Sequence, residues 1–155
     1  MQRKHYDKEI ERKDASKLRV GVVVSRFNED ITGRMLEGAL ETLRAWGVKE
    51  KNITVAHVPG SFVLPYGALK IIKKTKPHAV VALGCVIKGD TDHDKYIADA
   101  VSYGLMRLSI DHFIPVSFGV ITTNNLEQAV VRSTGKSNKG PEAVVAALES
   151  ALLKF

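Results

Sequence analysis

Apolar residues in this chain form short continuous runs, separated by stretches in which they recur at helical spacing. The first run, Leu18 to Ser25 (LRVGVVVS), is apolar without alternation, as in strands buried on both faces of a parallel sheet. Arg26-Phe27-Asn28 breaks it. Ile31, Met35, Leu36, Ala39, Leu40 and Leu43 then predict a helix, capped by Asn28 or Asp30 and closed by Gly47. Residues 52–58 (NITVAHV) predict a second strand, ended by Pro59-Gly60-Ser61. Pro65 suits the first turn of the next helix, which carries Leu69, Ile71 and Ile72 and stops before Pro77. His78 to Cys85 predicts a third strand, and Lys88 to His93 a polar loop. Tyr96, Ile97, Ala100, Val101 and Leu105 give a third helical pattern. Residues 114–121 (IPVSFGVI) predict a fourth strand, with Pro115 tolerated near its start. Helical patterns follow at about 124–133 and 141–154, joined by a polar link from Ser133 to Gly140.

Strand and helix alternate four times at a spacing that fits βαβ crossovers. Right-handed crossovers then build an α/β fold, a parallel sheet with helices on both faces. Ligands of such sheets sit beyond the C-terminal ends of the strands. The loops to inspect are therefore Ser25 to Glu29, Pro59 to Val63, Lys88 to His93 and Thr122 to Asn125.

The third of these loops carries the most chemistry. A buried strand, a Gly-containing loop and a helix start leave backbone N–H groups free for an anion, and the helix dipole adds positive charge. His93 lies where that helix would begin, and imidazole moves protons near neutral pH. Alone, Gly89-Asp90-Thr91 is a weak phosphate signal, and a lone His93 reads more readily as a cap or a surface residue than as a proton carrier. Co-location with the other loops strengthens both. Phe27 reads as a core or staple residue, or as a ring that stacks on a planar ligand. The Pro59-Gly60-Ser61 turn lets backbone approach a ligand closely.

Composition narrows the picture. A chain of 155 residues fits one domain over 18–155, after a charged arm over 1–17 that is frayed or docks on a neighbour. With 45% hydrophobic and 26% charged residues the chain is globular rather than disordered. The single cysteine, Cys85, excludes an internal disulfide and reads as a small core residue. No apolar run approaches the roughly 20 residues that cross a bilayer, and no signal peptide is visible in the charged N-terminal stretch. No membrane association and a cytoplasmic location are expected. The net charge of +6 would permit nucleic-acid binding, but aromatics make up only 6% and no nucleic-acid motif is present. Small anionic substrates are the better match to that charge, with no nucleic-acid partner.

Four blocks carry a family likeness: VVVSRFNEDIT at 22–32, VPGSFVLP at 58–65, ALGCVIKGDTDHDKYIADAVSYGL at 82–105 and SFGVITTNNLEQAVVRSTGKSNKGPEA at 117–143. In combination, order and spacing they resemble the lumazine synthases of riboflavin biosynthesis, over about residues 18–155. The resemblance implies a flavodoxin-like three-layer αβα sandwich with a central four-stranded parallel sheet. It implies a homopentamer, which some family members assemble into an icosahedral shell of twelve pentamers. The implied activity is that of a transferase. It condenses 5-amino-6-(D-ribitylamino)uracil with 3,4-dihydroxy-2-butanone 4-phosphate to give 6,7-dimethyl-8-ribityllumazine and phosphate, with no cofactor and no metal.

By resemblance, His93 is the proton-transfer residue. Phe27, Gly60, Ser61, Phe62, Val86, Ile87, Phe118 and Lys139 bind the uracil ring and ribityl chain. Gly89, Asp90, Thr91 and Arg132 hold the phosphate, and Asn28 and Glu142 support the site. Phe118, Arg132 and Lys139 would reach the pocket from an adjacent subunit. Read without the family, Phe118 is a core residue and Arg132 and Lys139 are solvated surface. The chain departs from the family pattern at Val63, where a carboxylate is usual, and at Asp94-Lys95, where Phe and then Asp often follow the histidine. These departures motivate a second expectation, a weakly active or inactive paralogue that binds flavin or lumazine or serves as a shell protein.

Overall fold

The computed structural model describes residues 11–154. Within them the chain runs β1 (Val20–Ser25), α1 (Glu29–Ala45), β2 (Ile53–Val58), α2 (Leu64–Thr75), β3 (Ala79–Ile87), α3 (His93–His112), β4 (Val116–Thr123), α4 (Leu126–Arg132) and α5 (Lys139–Ala151). Short 3₁₀ turns lie at Glu50–Asn52, Ser61–Val63 and Gly135–Ser137. The four strands are parallel, in the order β2-β1-β3-β4.

The burial of each strand follows its place in that order. β1 is buried at every position and β3 at all but its last, because each has a neighbour on both sides and helices on both faces. The edge strands β2 and β4 are only partly buried. Alternate residues of the strands feed two cores. Val22, Val24, Val81 and Leu83 pack with Ile31, Met35 and Leu43 of α1 and with Val144 and Leu148 of α5. Val23, Val80 and Ala82 pack with Leu64, Ala68 and Ile71 of α2 and with Val101 and Leu105 of α3. The result is the three-layer flavodoxin-like sandwich, and each fully buried Leu or Ile contributes about 1.5–3 kcal/mol by leaving water.

Most predicted elements are present, and several boundaries move for a physical reason. β3 continues two residues past Cys85 and β4 two past Ile121, because the ladder pairs Val86 with Thr122 and Ile87 with Thr123. Gly47 closes α1 as expected. It adopts φ +84°, the Val48 N–H donates to the Leu43 carbonyl at 3.0 Å, and the Gly47 N–H donates to that of Arg44 at 2.9 Å. α3 begins at His93 but runs on to His112, and of its residues only Val101 and Leu105 are fully buried. Of the expected N-terminal arm, residues 1–10 lie outside the described residues. Residues 11–17 are without helix or strand, and Ala15 is buried with its N–H donating to the Trp46 carbonyl at 3.0 Å.

Candidate active site

The strand order reverses direction at β1, so the loops after β1 and β3 leave the sheet on opposite faces and open a crevice between them. Asn28 bridges it. Its backbone is left-handed (φ 60°, ψ 47°), a conformation that costs most residues 1–2 kcal/mol but that Asn tolerates. Its side chain makes no cap on α1, contrary to the sequence expectation. Instead Asn28 Nδ2 donates to the Cys85 carbonyl at 3.0 Å, tying the ends of the two central strands together. The next turn is fixed by Thr32, whose hydroxyl donates to the Ser25 carbonyl at 2.7 Å. The loop after β1 is held to that after β2 by Arg26 N–H to the Val58 carbonyl (2.8 Å) and Phe27 N–H to the Pro59 carbonyl (3.1 Å).

A cavity of about 390 Å³ lies over these strand ends. It lies within the range of about 300–1,000 Å³ common for small-molecule sites. Phe27 and Asn28 line it from the first loop and Gly60, Ser61 and Phe62 from the second. Val86, Ile87, Gly89, Thr91 and His93 line it from the end of β3 through the start of α3. Ten of the expected site residues thus meet at one cavity. Phe27 and Phe62 are 69% and 62% exposed, so their rings stand free at the mouth rather than in the core. Gly84 keeps the floor tight, since a Cβ there would lie 2.7 Å from Ser61 Oγ and 2.9 Å from Leu64 Cδ1.

The third loop has the shape of an anion site. The N-cap residue Asp92 makes no side-chain cap on α3 and the Lys95 N–H donates to the Asp92 carbonyl at 3.0 Å, which leaves the Asp94 N–H of the first turn for a ligand. The Thr91 hydroxyl accepts from the His93 N–H at 3.4 Å. His93 itself is exposed, at the cavity wall. Asp90 is exposed on the same loop but does not line the cavity. Lys95 is engaged with Asp92 at 3.0 Å.

The remaining expected residues lie elsewhere. Phe118, Arg132, Lys139 and Glu142 line a second cavity of about 340 Å³, against edge strand β4 and α5, which shares no lining residue with the first. Phe118 is 47% exposed and is not a core residue. Arg132 is turned back onto its own helix, donating to the Gln128 carbonyl at 3.1 Å, and Lys139 pairs with Glu142 at 2.8 Å. One chain therefore holds the expected site in two halves.

Some lining groups were not anticipated. Asp94, Ile97 and Cys85 face the first cavity and Ser117 the second. The Cys85 thiol is pushed up to about 11 by burial, with Asn28 pulling weakly the other way, so it stays protonated and inert. Ser61 Oγ and Asp94 Oδ1 at the first cavity, and Ser117 Oγ at the second, are buried without a hydrogen-bond partner among the described residues. The register of β4 would have located Ser117 and the phase of α3 Asp94 and Ile97, and neither is fixed by residue type.

Residues 17–154 match the family model described as 6,7-dimethyl-8-ribityllumazine synthase. A protein of that name from Phocaeicola vulgatus is 45% identical over 137 residues, covering 88% of this chain and 82% of the relative. One of the same name from Porphyromonas gingivalis is 45% identical over 138 residues, covering 88% and 86%.

Proposed function

The chain belongs to the 6,7-dimethyl-8-ribityllumazine synthase family, and from that premise we propose how its residues carry the reaction. The protein condenses 5-amino-6-(D-ribitylamino)uracil with 3,4-dihydroxy-2-butanone 4-phosphate. The uracil amine attacks the ketone and forms an imine with loss of water. Phosphate leaves with its bonding electron pair, and ring closure expels a second water to give 6,7-dimethyl-8-ribityllumazine. No step gains or loses electrons overall, so the work is positioning and proton transfer.

In this reading Phe27 stacks on the pyrimidine, and Gly60, Ser61 and Phe62 hold the ring edge and ribityl chain against Val86 and Ile87. His93 carries protons between the amine, the ketone oxygen and the leaving groups. Gly89 and Asp90 through their backbone and Thr91 through its hydroxyl seat the phosphate at the start of α3, the Asp90 carboxylate staying outside the cavity, with Asn28 steadying the strand ends. The observation that carries the reading is the convergence of these loops on one cavity at the sheet's switch point.

The phosphate also needs a cation, and Arg132 and Lys139 are at the other cavity. We infer a homo-oligomer, a ring of five, in which the β4 cavity of one subunit closes the first cavity of the next and brings Phe118, Arg132 and Lys139, with Glu142 supporting, to the substrates. A second feature supports assembly. Tyr96, Tyr103, Met106 and Ile110 follow a heptad spacing along the outer face of α3, each 60–73% exposed, and Phe113, just past the end of the helix, is 97% exposed. An apolar stripe of that size on a helix calls for a partner helix. No helix among the described residues is long and apolar enough to cross a membrane.

The test supplies both substrates to purified protein and follows lumazine fluorescence and free phosphate together. Both should rise above the uncatalysed rate and fall in His93→Ala and Arg132→Ala. An assembled protein that forms no product would refute the reading.

A further inference from the structure

Asp94 sits in the first turn of α3, where the helix dipole favours a carboxylate. The dipole alone does not account for its environment. A carboxylate serving only that purpose stays hydrated or accepts from a backbone N–H. Instead one oxygen, Oδ1, is buried and has no hydrogen-bond partner among the described residues. The neighbouring cation, Lys95, is taken by Asp92 at 3.0 Å. Burying a polar oxygen unpaired is costly, the more so for an ionised one.

A second orphan lies on the wall of the same cavity. Ser61 is 6% exposed, and its Oγ is likewise buried without a partner. A hydroxyl can donate or accept, whereas a carboxylate oxygen only accepts. Val86 and Ile97 on the same cavity have no side-chain donor, and neither orphan oxygen has a hydrogen-bond partner among the described residues. The ligand that satisfies this wall therefore presents an O–H or N–H and carries no negative charge there, since an anion would be repelled by Asp94.

We propose that Asp94 is a specificity-determining residue that accepts a hydrogen bond from an O–H or N–H of the ribitylaminouracil and keeps the phosphate ester off this wall. The inference rests on the reaction proposed above. It divides the cavity, with the anion at the loop 88–92 and the donor-rich uracil at the Ser61–Asp94 wall.

The test uses the assembled protein with Asp94→Leu, which removes the acceptor, and Asp94→Asn, which keeps a neutral one. Calorimetry gives the Kd for 5-amino-6-(D-ribitylamino)uracil and for the lumazine product, and steady-state kinetics give KM for each substrate. In Asp94→Leu the Kd for the uracil should rise about 10-fold or more, with Asp94→Asn in between. KM for the butanone phosphate should stay level or fall. An equal loss for the product assigns the donor to a ribityl hydroxyl. An unchanged product Kd assigns it to an amine that the product no longer carries. A wild-type Kd for the uracil in Asp94→Leu overturns the proposal, as does a rise of both KM values by one common factor. Uracil binding that depends on Asp94 without product formation would instead sink the proposed reaction and leave this assignment standing.

Discussion

Two inactive variants should rescue each other when mixed. His93→Ala damages the cavity over β1 and β3 and leaves that against β4 intact, while Arg132→Ala does the reverse, because the two cavities share no residue. In a closed heterologous ring each site takes one cavity from each of two neighbours. In an equal, random mixture half the subunits keep His93 and half of their neighbours keep Arg132, so about a quarter of the sites regain both. Loss of a proton-transfer group commonly costs 10²–10⁴-fold. If each parent retains about 1% of wild-type activity, the mixture should stand about 25-fold above either. The control mixes wild type with the double variant. A shared site again leaves about a quarter of sites intact, whereas a site confined to one chain leaves about half. The variants would be unfolded separately, mixed and refolded, with mixing verified by native mass spectrometry. Heteromers that are present but no more active than the mean of their parents would refute the divided site.

Ile110→Asp buries a charge in the apolar stripe of α3 and should yield monomers by light scattering, with activity lost although Ile110 is far along the helix from His93. A folded, fully assembled Ile110→Asp protein would remove α3 from the interface. Cys85 should be nearly unreactive in the folded protein. A thiol at about 11 instead of 9.0 has about 100-fold less thiolate near pH 8, and labelling by a disulfide reagent should be slower than in urea by at least that factor. Equal rates would contradict its burial. His78 is held below its ordinary value of 6.5, first by desolvation and then by the Arg19 cation, while its Nδ1 accepts the Arg19 N–H at 2.9 Å. The unfolded chain then binds more protons just below pH 6.5. Stability is full above that pH and declines below it, and urea midpoints for wild type and His78→Gln should converge as pH falls. Parallel pH profiles would refute the linkage.

What was legible in the sequence was the part dictated by local pattern. The unbroken runs at β1 and β3 marked the two central strands, and the polar loop before His93 marked the start of α3 to the residue. Strand ends were misjudged because ladder hydrogen bonds, rather than side chains, carry β4 through Thr122 and Thr123. Asn28 was misread for a related reason. Its residue type fits a cap, but the carbonyl it reaches is 57 positions away, and no local pattern encodes that contact. The loops that line the first cavity were readable because the topology delivers all strand ends to one edge. Asp94 was visible only as a departure from the family, since whether its oxygen is buried depends on the rotation of α3 against β3 and the Ser61 turn.

The same rotation gives α3 its second role. A helix with one apolar face can be oriented from sequence, but α3 carries apolar residues both inward, at Val101 and Leu105, and outward, at Tyr103, Met106 and Ile110. The inward pair is satisfied by α2 and the sheet. The outward set has no such partner among the described residues, and its removal from water by neighbouring copies would be worth far more than the modest ion pairs on the same helix, such as Arg107 with Asp111 at 2.7 Å. Assembly and catalysis are then one problem. In the proposed ring the helix that begins at His93 would also be the one that packs against its copies, so the contact that would form the ring would also fix the direction in which each first cavity faces its neighbour. A monomer would hold either His93 or the cations Arg132 and Lys139 at any one cavity, and the proposed reaction uses both.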